Sequence, residues 1–180
     1  RYGQWDALFF GCVVALTMIL HLWLTVNKQN MSIPGELVCV FGLTSSAPVI
    51  YLFLHQSMDV RGWILWLINF LYFAGIIYYI KLKLRIQPQF SQPSNQIKIK
   101  KATPLLVYNM ILILFLWITI WIRNYTWLFL LAFGPYIIKS IIGIFTWQTK
   151  AALNPKQTGF VELFHAIFFL IINILAFNIH

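Results

Sequence analysis

Residues 104–122, PLLVYNMILILFLWITIWI, run for a membrane's thickness without one charged side chain. A helix rises about 1.5 Å per residue, so about 20 apolar residues cross the roughly 30 Å of bilayer hydrocarbon. A barrel strand would alternate apolar and polar positions and be about half as long, which the continuous apolar run excludes. Working outward, residues 7–25, 35–54 and 63–80 before this stretch, and 127–147 and 159–179 after it, have the same character. The sequence therefore predicts an all-α membrane protein, a polytopic bundle of six transmembrane helices. They form a single transmembrane domain over residues 1–180, with one long linker at 81–103.

Composition points the same way. With 61% hydrophobic and 9% charged residues, the chain cannot cover itself with a water-compatible surface. The net charge of +9 comes from 13 Lys+Arg against 4 Asp+Glu. In a soluble protein that excess would suggest nucleic acid; between apolar helices it reads as a topology signal, with the lipid bilayer as the partner and no nucleic acid. Cys12 and Cys39 lie inside apolar helices without CxxC or Cys/His spacing, so they read as small packing residues.

Orientation follows from the basic residues at the helix ends. Lys28, Lys81, Lys83, Arg85, Lys98, Lys100, Lys101, Lys150 and Lys156 fall on one side, and only Arg1, Arg61 and Arg123 on the other. The positive-inside bias makes the 81–103 linker cytoplasmic and puts both ends of the chain on the opposite side. Trp5, Trp63, Trp121 and Trp127 then mark outer helix ends, and Trp23 and Trp147 inner ones. The chain begins with Arg1 on the outer face and has no charged-then-apolar signal peptide, so it reads as the later part of a longer protein or as the ordered part of one.

Residues 66–85, WLINFLYFAGIIYYIKLKLR, resemble the aromatic helix with a basic cytoplasmic end in YwiC-like bacterial membrane proteins. Residues 155–177, PKQTGFVELFHAIFFLIINILAF, are similar to the closing segment of that family, in which a Gly, a hydrophobic pair and a Glu open the last helix. The two stretches cover about a quarter of the chain. The family is distantly similar to UbiA-type prenyltransferases, whose nine-helix bundle starts in the cytoplasm and ends outside. The resemblance implies a bacterial inner or thylakoid-type membrane, with this chain as the last six helices of such a bundle. It also implies Asp-rich motifs on cytoplasmic loops, where Mg²⁺ would hold an isoprenoid diphosphate. The linker holds no acidic residue. In the topology above, only Glu36 and Glu162 of the four carboxylates fall on the cytoplasmic side. The chain alone is therefore expected not to catalyse prenyl transfer.

The candidate site lies in the last two helices. At 100° per residue Glu162, His165, Ala166, Phe169, Asn173, Ala176 and His180 share one face of the last helix, a stripe of polar and small residues that should point inward. Lys139 is the deepest cation, on a face with Pro135 and Gly143. An unpaired lysine at depth is costly, so it either snorkels or pairs with Glu162 or His165 across the hairpin. Lys139, Glu162, His165 and Asn173 are thus the candidate ligand-binding residues. Glu162 alone also suits the positive end of a helix dipole, and His165 alone could be an ordinary buried histidine.

Lys81, Lys83, Arg85, Lys98, Lys100 and Lys101 read either as topology determinants or as contacts to an anionic headgroup. Thr44, Ser45, Ser46 and Pro48 interrupt the second helix, where hydroxyls can satisfy the carbonyl that proline frees. Asn69, Tyr72 and Tyr79 recur on adjoining turns and either line a cavity or make helix contacts. His21, His55 and His180 have no ligand-spaced companion, so no metal site is indicated, and no cofactor motif is present. The leading expectation is a noncatalytic or accessory multi-pass protein, binding a lipid or quinone-like molecule or other membrane subunits. A prenyltransferase relative and a small-solute transporter are the alternatives, the latter suggested by Lys139 and the interrupted helices.

Overall fold

The structure, a computed structural model, describes residues 3–90, 93–123, 127–147 and 155–178. Among them the α-helices are α1 (Gly3–Val26), α2 (Ile33–Thr44), α3 (Ser46–His55), α4 (Val60–Lys81), α5 (Asn95–Arg123), α6 (Leu128–Phe145) and α7 (Pro155–Asn178). Six helical spans are long and apolar enough to cross a membrane, α2 and α3 counting as one. The all-α polytopic fold is as the apolar runs predict. Large apolar side chains face outward, among them Val26 at 82% exposure, Phe53 at 80% and Trp121 at 78%. Such a surface suits hydrocarbon rather than water.

The 81–103 linker is much shorter than expected. α4 runs on through a π-helical turn, Leu82–Ile86, and a 3-10 turn, Gln87–Gln89, while α5 already begins at Asn95. The apolar length alone places the start of the expected span at Pro104. That residue lies inside α5 instead. The preceding Gln, Ile, Lys and Ala are adequate helix formers, so α5 extends past its apolar stretch as a basic overhang.

The chain divides into two compact units, Arg1–Ile77 and Tyr78–His180. The boundary falls inside α4, ahead of the 81–103 linker. Tyr78, the first residue of the second unit, stacks on Tyr108 of α5 with ring centroids 5.1 Å apart.

In the first unit α1 packs on α2 and α3. Fully buried Phe10 meets Trp63 at 5.4 Å and Trp66 at 6.0 Å, and Phe41 meets Trp66 at 4.8 Å. Gly42 permits the close helix approach, since a Cβ there would come within 2.8 Å of Thr17 Oγ1. The break between α2 and α3 falls at Ser45. Pro48 has no N–H for the carbonyl one turn back, and the hydroxyls of Thr44, Ser45 and Ser46 turn onto Val40 O, Phe41 O and Leu43 O, each at 2.8 Å.

In the second unit α6 is central, packed on both α5 and α7. Phe133 and Phe169 meet edge to face at 5.2 Å, Phe129 and Phe177 at 5.4 Å, and Leu112 and Leu116 of α5 are fully buried. Beyond this packing, α6 turns Tyr136, Lys139, Ser140 and Gly143 toward its neighbours.

Candidate functional site

Lys139 reaches across to α7. Its Nζ lies 2.5 Å from Glu162 Oε2 and 3.4 Å from His165 Nδ1. The Lys139 and Glu162 side chains are each 11% exposed. Glu162 and His165 stand three residues apart on α7, the spacing that sets two side chains on one helical face. The ammonium also lies 4.7 Å from the ring centre of Tyr79 and 5.7 Å from that of Tyr136. Aromatic faces stabilise a cation electrostatically, so the site combines an ion pair with two ring contacts. Beside an ammonium, which only donates, His165 Nδ1 must accept; the neutral tautomer then carries its proton on Nε2. Glu162 Oε1 is buried without a hydrogen-bond partner among the described residues.

A second polar group occupies the adjoining face of α6. Tyr136 donates its hydroxyl proton to Asn109 Oδ1 at 3.0 Å, Asn109 Nδ2 donates to Ser140 Oγ at 2.8 Å, and Ser140 donates to Ile137 O. Tyr136 and Ser140 are fully buried and Asn109 nearly so. These bonds tie α5 to α6 where apolar contact alone would leave their rotation loosely set. Tyr136 belongs to both groups, since its ring flanks Lys139 while its hydroxyl is held by Asn109.

The C-terminal end of α6 is capped by side chains from the preceding segment. Gln87 Nε2 donates to Gly143 O at 2.8 Å, Lys98 Nζ to Phe145 O at 3.3 Å, and Lys83 Nζ to Thr146 O at 2.9 Å. The last carbonyls of a helix have no intrahelical donor and carry partial negative charge, so two lysines there are doubly suited. Trp147 returns the contact by donating Nε1–H to Gln87 O at 3.0 Å. Gly143 allows this end of α4 to approach, since a Cβ there would lie 2.6 Å from Tyr79 Cε2.

Lys139, Glu162 and His165 therefore come together, and Asn173 stands apart from them. Asn173 Nδ2 bonds Phe169 O of its own helix at 2.8 Å, and its Oδ1 is buried without a partner among the described residues. His180, assigned to the same stripe, lies outside the described residues, as does Lys150. Of the six basic residues read as headgroup contacts, Lys81 and Lys83 are buried, and Lys83 and Lys98 hold α6 carbonyls. Lys101 sits 5.4 Å above the Phe90 ring, and Arg85 and Lys100 are exposed.

No family model, curated protein or solved structure matches the chain. The site is thus read from its own chemistry. Among the described residues no three His, Cys, Asp or Glu side chains come together as a metal cluster. The residues sequence reasoning passed over are Asn109 and Ser140, with Tyr136. A signal existed, because Asn109 is the one amide in the apolar run 104–122.

Proposed function

We propose that the chain is a noncatalytic multi-pass membrane protein whose second unit holds the polar head of a lipid- or quinone-sized molecule at Lys139, Glu162 and His165. The convergence of an ammonium, a carboxylate and an imidazole inside membrane-length apolar helices carries this reading. Ionisable groups at such depth are costly, and in membrane proteins they mark sites of function more often than of structure. The ammonium has one hydrogen beyond those given to Glu162 and His165, and His165 offers Nε2–H; both suit a carbonyl oxygen. Tyr79 and Tyr136 supply flat apolar walls for a ring.

A titration with decylubiquinone, read by quenching of tryptophan fluorescence in nanodiscs, tests the reading. Saturable quenching is expected, and a joint Lys139→Met, Glu162→Leu substitution, which removes both charges together, should weaken it at least about tenfold, a loss of roughly 1.4 kcal/mol. Non-saturable quenching, or equal affinity in the variant, would overturn it.

The prenyltransferase alternative is less well supported, because the Glu162 carboxylate is engaged by Lys139 rather than free to hold Mg²⁺. Chelator-sensitive turnover of a labelled isoprenoid diphosphate by the purified chain would revive it. In the orientation that the basic residues favour, the connection around Pro93 and Ser94 is cytoplasmic. Labelling of a Ser94→Cys variant by an impermeant reagent outside intact cells would reverse that assignment.

A further inference from the structure

A separate groove lies in the first unit, at the break between α2 and α3. It has a volume of about 290 Å³, with Leu43, Ala47 and Phe73 among its apolar walls and Thr44, Ser46 and Asn69 as its polar members. At roughly 30 Å³ per water-sized group, it admits about ten heavy atoms, enough for a short apolar chain.

Hydrogen-bond accounting fixes what such a ligand must offer. The Thr44 hydroxyl proton is directed at Val40 O (2.8 Å) and Phe41 O (3.2 Å), and the Ser46 proton at Leu43 O (2.8 Å). One Asn69 amide hydrogen is given to Leu65 O at 2.8 Å. These donors relieve the broken helix, so they are not available to a ligand. What remains for the groove is the acceptor capacity of two hydroxyl oxygens and of Asn69 Oδ1, against a single remaining N–H. The groove is therefore chiefly an acceptor, and it complements a donor.

Thr44 lies about midway along the span Ile33–His55. A phospholipid headgroup cannot follow its chain to that depth, because a charge there is too costly. A neutral hydroxyl can, provided it is hydrogen-bonded. We infer that this groove binds a small neutral alcohol, its apolar chain between Leu43, Ala47 and Phe73 and its hydroxyl donating to Asn69 Oδ1. The inference is independent of the site on Lys139, which lies in the other unit.

The test uses geraniol and geranyl methyl ether, which share a chain and differ in the donor. A diazirine-bearing geraniol analogue is photo-crosslinked to the whole chain in nanodiscs, the adduct is located by peptide mass spectrometry, and the two compounds compete for it. The adduct is expected within residues 40–73, with geraniol competing at about five- to tenfold lower concentration than the ether, the worth of one hydrogen bond. Asn69→Leu should bring the two compounds together, and Ala47→Phe should abolish the adduct by filling the groove. Equal competition by alcohol and ether, or an adduct elsewhere, overturns the proposal without touching the Lys139 site.

Discussion

Both units satisfy polar side chains within their own helices, as Asn173 and Thr119 do in the second, but the second adds bonds from one helix to another. In the first, Thr17, Thr25, Thr44, Ser45 and Asn69 each bond a carbonyl three or four residues back in their own helix. In the second, Asn109 bonds Ser140, Tyr136 bonds Asn109, and Lys139 bonds Glu162, each across two helices. A bond within one helix survives when that helix rotates or separates from its neighbour, so it contributes little to tertiary stability. A bond between helices is lost on separation and leaves buried partners unsatisfied, so the second unit should be the more sensitive to polar substitution.

The largest expected effect is at Lys139. Lys139→Met leaves Glu162 as an unpaired buried carboxylate and should cost about 3–5 kcal/mol, read by reversible unfolding in mixed micelles. Thr17→Val in the first unit, measured the same way, should stay within about 0.5 kcal/mol. Asn109→Leu comes next, at about 1–2 kcal/mol, because it strips the Tyr136 hydroxyl of its acceptor. If Asn69→Leu cost as much as Asn109→Leu, the contrast between the units would fail.

A loss smaller than those at Lys139 and Asn109 is expected at Asp59, before the first turn of α4. Its Oδ1 accepts from Gly62 N–H at 3.0 Å, so Asp59→Ala should cost about 1 kcal/mol as a lost helix cap. Burial pushes this carboxyl up, but the Gly62 N–H, the Tyr51 hydroxyl and the Arg61 N–H and charge together outweigh it and hold the group below its usual range. A depressed folded value stabilises above the unfolded one and loses that stabilisation as pH falls through the folded value. The difference between wild type and Asp59→Ala should therefore be constant near neutrality and shrink only below the ordinary carboxylate value of 3.8.

Much of the fold was legible because apolar length is additive along the chain. Residues 104–122 need no tertiary information to be read as a span. Pro104 shows the limit: a proline can begin a helix, as Pro155 does, or sit inside one, as Pro104 does, and apolar length alone does not decide between them. At the site, Lys139, Glu162 and His165 were legible from the cost of charge at depth together with helical spacing. Asn109 and Ser140 were not, since each alone is cheap to satisfy within its own helix and only packing brings them together. The role of Lys83 and Lys98 was hidden in a similar way, because a basic run counts equally as a topology signal and as a cap for a distant helix end.

A double-mutant cycle on Lys139 and Glu162 tests most directly that the polar centre of the second unit acts as one group. Unfolding free energies would be compared for wild type, Lys139→Met, Glu162→Leu and the double variant. The geometry predicts a coupling of at least about 2 kcal/mol, with the double variant closer to wild type than either single one. Additive losses, within about 0.5 kcal/mol, would show that the two charges do not act together and would contradict the account.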